Sequence, residues 1–205
     1  MANLEYEQKF YEEGLFLIAG CDEAGRGPLA GPVVCAAVIL PKDYLNPMID
    51  DSKKLTEKKR EALFEIIKQD ALAYDIQVID VKTIDDINIY QASKLGMERA
   101  LANLKIKPEA VLSDAMQLNI SQPYIPLIKG DAKSQNIAAA SILAKVHRDH
   151  LMKEYDAIYP GYGFAKNKGY GTKEHCLALE KLGITPIHRR TYEPVKSMQQ
   201  LKFDI

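Results

Sequence analysis

The chain has 205 residues, 47% of them hydrophobic and 27% charged, with a formal net charge of -1. These are ordinary globular values, with room for one well-cored domain and no overall basic excess to advertise a nucleic-acid binder. Cys21, Cys35 and Cys176 form neither a metal-type spacing nor an even set, so a disulfide scaffold is excluded and a reducing compartment is expected.

Residues 4–13 are expected to form a short helix stopped by Gly14. Residues 15–21 and 33–40 are short, nearly continuous apolar runs, the second bracketed by Pro32 and Pro41, and read as strands buried on both faces. Thr56 is a good N-cap for a helix to about Gln69. Residues 71–81 alternate, with Tyr74, Ile76 and Val78 on one face and Asp75 and Gln77 on the other, as in a half-exposed strand. Residues 89–104 have helical periodicity through Leu95, Met97, Leu101 and Leu104. Residues 110–114 and 124–128 read as strands, the second placed at an edge by Pro126. A long helix follows from Ser134 to about Tyr159, with an apolar stripe of Ile137, Ala140, Ala144, Leu151, Tyr155 and Ile158. Its small residues 138–141 would let it lie close to a sheet. Pro160-Gly161-Tyr162-Gly163 stops it, a helix spans about 172–182, and Pro194 opens a short tail.

This order predicts an α/β domain with a mixed sheet and a helical C-terminal portion. Residues 1–196 are read as one domain, with 160–196 its helical part and 197–205 a tail. Residues 160–190 hold six basic residues (Lys166, Lys168, Lys173, Lys181, Arg189, Arg190) against Glu174 and Glu180, a local patch suited to phosphates. The N-terminus is polar and charged, and the longest apolar stretch, 28–41, is too short to span a bilayer. A cytoplasmic protein is expected.

The chemistry centres on Asp22-Glu23-Ala24-Gly25-Arg26-Gly27-Pro28. Adjacent carboxylates at the end of an apolar run repel each other and lose hydration, so they call for compensation, ordinarily by a divalent cation. The Gly-Arg-Gly loop beside them offers backbone N–H groups and a guanidinium to a phosphate. Asp114 and Asp131 also fall at, or just past, strand ends. If the strands run roughly parallel, Asp22, Glu23, Asp114 and Asp131 collect at one sheet edge, provided the first strand breaks at Asp22 so that Glu23 can turn the same way. Four oxygen ligands describe Mg²⁺ or Mn²⁺ coordination and phosphodiester hydrolysis. Asp is also common at turns and N-caps, and for Asp114 or Asp131 taken singly that reading competes. His147 and His150 read as surface residues and His175 as structural or backbone-contacting. No histidine is needed as a metal ligand.

The residues 22–32 resemble the signature of bacterial ribonuclease HII. The resemblance continues at Asp51-Ser52-Lys53-Lys54-Leu55, Asp114, Lys129-Gly130-Asp131, residues 138–146, residues 168–175 and Pro186-Ile187-His188-Arg189. Arg26 separates it from ribonuclease HIII, which has another residue there. The resemblance implies a ribonuclease H-like fold with a mixed five-stranded sheet flanked by helices. It implies cleavage of the RNA strand of RNA–DNA hybrids and incision 5′ of single ribonucleotides in duplex DNA. Asp22, Glu23, Asp114 and Asp131 would be the catalytic, metal-binding acids. Gly25, Arg26 and Gly27 would read the ribose 2′-OH, Tyr170 would pack against the neighbouring deoxyribose, and Ser52 and Lys53 would contact the nucleic-acid backbone. Gln200, Leu201 and Phe203 resemble a peptide that docks on bacterial sliding clamps. A monomer is expected. Two other readings share parts of the pattern: a catalytically silent hybrid binder, which gains nothing from clustered acids facing phosphate, and another nuclease or resolvase on this fold, which has no use for the Gly-Arg-Gly loop and Tyr170.

Overall fold

The computed structural model describes residues 2–50 and 52–200. Five strands, β1 (Ile18–Ala24), β2 (Val33–Ile39), β3 (Ala73–Ile79), β4 (Ala110–Asp114) and β5 (Tyr124–Leu127), form one sheet in the order β3-β2-β1-β4-β5. β2 runs antiparallel to both neighbours, while β1, β4 and β5 run parallel, so the sheet is mixed. All seven residues of β2 are buried, because the sheet is covered on both sides. Val33, Cys35, Ala37 and Ile39 pack toward α3 (Val81–Asn103), and Val34, Ala36 and Val38 pack toward α2 (Glu57–Asp70) and α4 (Gln135–Ile158). No helix among the described residues is long and apolar enough to cross a membrane.

The caps behave as the residue types require. Thr56, Asp80, Ser134 and Thr172 each accept a backbone N–H three residues on, at the starts of α2, α3, α4 and α6 (Lys173–Leu182). α1 (Glu5–Glu12) lies where expected. α3 begins eight residues before the expected start, but it is two helical segments joined at Asn88, which has φ 67°. Asn88 Oδ1 accepts the Gln91 N–H, so it caps the second segment, the one whose periodicity is legible. β1 is shifted three residues onward from the apolar run. The N–H groups of Phe16 and Leu17 bond the Glu109 carboxylate instead of a strand, and the ladder with β2 continues through Glu23–Cys35 and Ala24–Val34. On β3 the apolar face is the open one at its ends: Tyr74 and Val78 are exposed, because this is an edge strand. Ile128 lies outside β5, and Ile158, assigned to the core stripe of α4, is 62% exposed. The chain after Pro194 forms a short helix, α7 (Val195–Gln200). With α5 (Phe164–Asn167) and α6 it makes a small C-terminal core around Phe164, Leu179, Ile187 and Val195.

α4 crosses β1 at close range. A Cβ on Gly20 would stand 2.2 Å from the Asn136 carbonyl carbon and 2.3 Å from the Ile137 nitrogen. Ala138, Ala139 and Ala140 are fully buried against the sheet. The small residues thus set the helix–sheet spacing, and the obstacle to a larger residue at 20 is backbone, which cannot rotate away. Gly20→Ala is therefore expected to cost about 3 kcal/mol or more in urea unfolding. A loss below about 1 kcal/mol would show that α4 lifts off the sheet at little cost.

Candidate active site

The parallel pairing of β1 with β4 sets Cys21 beside Ser113, so Asp22 and Asp114 come next to each other at the same sheet edge. Asp131 arrives from the turn after β5. Lys129 takes a left-handed conformation, a 3-10 turn follows over Gly130–Ala132, and the Gly130 N–H donates to Asp114 Oδ1 at 2.7 Å. One carboxylate oxygen from each of Asp22, Asp114 and Asp131 lies within 4.8 Å of the others. Two of these residues are buried and Asp114 is half-buried. A set of hard oxygen donors this close, with few positive neighbours, fits a divalent cation.

The strand does not break at Asp22. It runs to Ala24, so Asp22 sits opposite Ala36 on the α4 side and Glu23 opposite Cys35 on the α3 side. Glu23 is therefore not one of the three clustered oxygens, although it lines the same cleft. Its Oε1 takes a 3.4 Å contact from Arg26, and its Oε2 is buried without a hydrogen-bond partner. An unpartnered buried carboxylate oxygen is a second feature that fits a cation at this edge. Burial pushes Asp22 well above the ordinary Asp range, and the charges of Glu23 and Asp114 push it further. Burial raises Glu23 to about 6, against the lowering effect of Arg26. Asp114 is raised chiefly by burial, offset by its bond from Gly130.

The other candidate residues also border this cleft. Ser52, Lys53, Arg26, Gly25, Gly27 and Tyr170 line it, joined by Ser141, Lys145 and Arg148. Ser52 is buried, with its Oγ 2.9 Å from Ser141 Oγ, while Lys53 Nζ reaches Asp131 at 3.3 Å. Arg60 Nη1 donates to the carbonyls of Ser52 and Leu55 and so fixes the 52–55 loop. Lys145 and Arg60 both pair with the buried Asp149. Tyr170 is 46% exposed, so its ring is free of the core, and it lies 3.7 Å from where a Cβ on Gly27 would be. Leu201 and Phe203, and the side chain of Gln200, lie outside the described residues.

Two arginines build the loop. Arg148 donates from Nε, Nη1 and Nη2 to the carbonyls of Pro32, Lys168 and Ala30. Arg189 donates to the carbonyls of Gly25, Arg26 and Gly31. Both side chains are fully buried. Arg189 therefore does not belong to a surface basic patch, as its composition-based grouping had placed it. Burial lowers Arg148 to about 10, with Arg189 adding to the effect, and lowers Arg189 as well. Gly25, at φ +102°, is glycine for this reason: a Cβ there would be 2.1 Å from Arg148 Nε. Arg148 did not stand out in the sequence, and Arg189 stood out only as part of a phosphate-type basic patch and of the 186–189 motif, not as a buried clamp. The available signal was Arg148 on the buried stripe of α4, one turn after Ala144 and one before Met152.

His175 and His188 are buried, while the His150 side chain is 43% exposed and bonded to Glu61, in keeping with a surface position. His147 is half-buried. None of the four joins the carboxylate cluster.

Arg189→Ala is expected to destabilise the protein by about 3 kcal/mol or more, because several buried carbonyls lose their donor at once, whereas Arg190→Ala, at an exposed neighbour, should change it by about 0.5 kcal/mol or less. Equal effects in urea unfolding would contradict the clamp. Asp22 is harder to ionise folded than unfolded, so its charge opposes folding above the ordinary Asp range. Asp22→Asn should accordingly raise the melting temperature of chelator-treated protein at pH 7. A drop would mean that the Asp22 charge is compensated within the protein.

The Ribonuclease HII family model matches residues 19–195. The chain is 59% identical over 194 residues to a Ribonuclease HII of Enterococcus faecalis, covering 95% of this chain and 76% of that protein. The crystal structure of the ribonuclease H2 from Pyrococcus horikoshii superposes with a TM-score of 0.79 at 27% identity, over 92% of this chain and 99% of that one. Bst-RNase HIII in complex with Mn2+ shares the fold, with a TM-score of 0.68 at 16% identity over 93% of this chain and 71% of that one. The chain belongs to the ribonuclease HII family and is a ribonuclease H enzyme.

Proposed function

We propose that this enzyme hydrolyses the RNA strand of RNA–DNA hybrids and incises 5′ of single ribonucleotides in duplex DNA, with Mg²⁺ or Mn²⁺ as cofactor. The convergence of Asp22, Asp114 and Asp131 within 4.8 Å, beneath the loop that carries Arg26, supports this reading most directly. Asp22, Asp114 and Asp131, with Glu23 beside them, would hold the cation. A divalent ion held there supplies the activation of water and the neutralisation of leaving-group charge that phosphodiester hydrolysis needs.

The remaining roles fall to the chain's own groups. The carbonyls of Gly25 and Arg26 are turned onto Arg189, and in a trans peptide the N–H of the same unit points the opposite way, so the N–H groups of Arg26 and Gly27 would be turned from Arg189 toward a bound substrate. These N–H groups and the Arg26 guanidinium would read the ribose 2′-OH and the adjacent phosphate. Tyr170, beside Gly27 in the same cleft, would crowd a second hydroxyl on the next sugar and so favour deoxyribose there. Ser52 and Lys53 would hold the backbone of the nucleic acid. Residues 1–196 would make up this catalytic unit, with residues 160–196 supplying the Tyr170 side of the cleft. Beyond them, Gln200, Leu201 and Phe203 would dock on a sliding clamp. We assign the protein to the cytoplasm as a monomer.

The test is a cleavage map on duplex DNA with one ribonucleotide, beside a long RNA–DNA hybrid and an all-DNA control, with Mg²⁺. A single cut 5′ of the ribonucleotide, absent from the control and from chelator-treated enzyme, is expected. Asp114→Asn should lower cleavage of both ribonucleotide substrates by about 10³-fold, the scale for losing one electrostatic group at the transition state. Cutting of the hybrid alone would remove the junction reading and keep the metal site. Cutting of neither would favour a silent binder.

A further inference from the structure

Two buried histidines behind the cleft carry an arrangement that the reading above does not use. His175 lies in the first turn of α6, and His188 in the segment that returns toward the loop at 28–31. Both are almost fully buried. His175 Nδ1 is 2.9 Å from the carbonyl oxygen of Tyr170, and the Nε2 atoms of the two rings are 3.0 Å apart. His188 Nδ1 is 2.9 Å from the Thr185 backbone nitrogen.

The two ends of this chain fix every proton in it. A carbonyl only accepts, so His175 Nδ1 carries hydrogen. A backbone N–H only donates, so His188 Nδ1 carries none. A neutral His188 then has its hydrogen on Nε2 and points it at the bare Nε2 of His175. The sequence is Thr185 N–H to His188, His188 to His175, and His175 to the Tyr170 carbonyl, with one hydrogen per gap. A proton added to either ring would set two N–H groups against each other. Burial lowers both rings from the ordinary His range, His188 to about 4, which keeps them neutral. Around the rings stand Phe164, Thr185 and Tyr162. The last is the titratable group facing them, and its hydroxyl is engaged with the Gly183 carbonyl.

We infer that His175 and His188 are positioning residues for substrate discrimination: a neutral, fixed-tautomer imidazole relay that anchors the main chain of Tyr170 and so places its ring beside Gly27. This rests on the reading of Tyr170 given above. The neighbouring Gly169 carbonyl accepts the N–H groups of Leu29 and Ala30, so the Tyr170 loop is already tied to the loop after β1 on one side. On the other side the Tyr170 N–H donates to the Asn167 carbonyl and the Tyr170 carbonyl accepts the Thr172 N–H, and the relay adds His175 Nδ1 as a second donor, from a side chain, to that carbonyl.

Two experiments decide it. In the full-length native protein, imidazole ¹⁵N NMR at pH 7 should report His175 as the Nδ1–H tautomer and His188 as the Nε2–H tautomer. His175 with hydrogen on Nε2, or either ring charged, would overturn the relay with no variant needed. Then the ratio of kcat/KM on a single-ribonucleotide duplex to that on a long hybrid is compared among variants. His175→Phe should lower the ratio about five-fold, the scale of one neutral hydrogen bond. His175→Asn, which keeps a donor near the Nδ1 position, should restore most of it. If His175→Phe does not fold, His188→Phe, which removes the donor to His175 Nε2, takes its place and should lower the ratio, an unchanged ratio overturning the inference. A folded His175→Phe with the native ratio, or no recovery with Asn, overturns the inference while Tyr170→Ala still lowers the ratio. An unchanged ratio in Tyr170→Ala would bring down the Tyr170 reading and this role with it.

Discussion

Two guanidiniums under the loop after β1 hold together what would otherwise be separate parts. A buried arginine without a carboxylate partner is costly, because desolvation must be repaid by hydrogen bonds alone. Here the repayment comes from backbone carbonyls. Arg148 reaches from α4 to Pro32, Ala30 and Lys168, and Arg189 reaches from the C-terminal part to Gly25, Arg26 and Gly31. The planar fork suits several carbonyls at fixed angles, which an ammonium group would not. Removing either donor set would leave carbonyls unsatisfied at several points of one short loop, so the loop's shape is determined from beneath rather than by its own turn chemistry.

The carboxylates present the opposite condition. Asp22, Glu23 and Asp114 all titrate above their ordinary ranges, chiefly through burial. The nearby cations only partly compensate. Lys53 is 77% exposed at its side chain and Arg26 46%, so their contacts to Asp131 and Glu23 are screened by solvent. The fold thus keeps a strained negative cluster in the same cleft as a rigid, well-satisfied cationic one. A divalent cation on the same oxygens would offset the repulsion within that cluster.

Much of this was legible in the sequence. Continuous apolar runs gave the central strands, because a strand covered on both faces has no polar alternation to show. Thr56, Ser134 and Thr172 marked helix starts, since a cap is a local interaction. Asp22, Asp114 and Asp131 could be placed at one edge from strand ends alone. What failed depended on long-range partners. β1 continues past Asp22 because β2 goes on pairing with it, and that is invisible from residues 15–24. Arg189 looked like one more base in a basic stretch, and its burial depends on carbonyls more than 150 positions earlier in the chain. The Gly-Arg-Gly pattern suggests that Gly25 leaves backbone open to a phosphate. In the structure a Cβ there would run into Arg148, so a side chain of α4 accounts for this glycine.

The segment 28–31 shows why the C-terminal part cannot be treated as an appendage. Leu29 and Ala30 donate to the Gly169 carbonyl, Gly31 donates to Ile187, and Arg189 donates from its backbone to Leu29. This short stretch is therefore gripped on one side by the loop that carries Tyr170 and on the other by the segment that carries His188 and Arg189. The wall with Arg26 and the wall with Tyr170 share these backbone bonds, which fixes the distance between them. On the proposed reading, in which Tyr170 and the loop at 25–27 meet adjoining sugars that differ by a single hydroxyl, the walls must be held at a constant separation, since one ångström of slack would admit either sugar. The sheet supplies the acids, but the seam at 28–31 sets the width of the cleft.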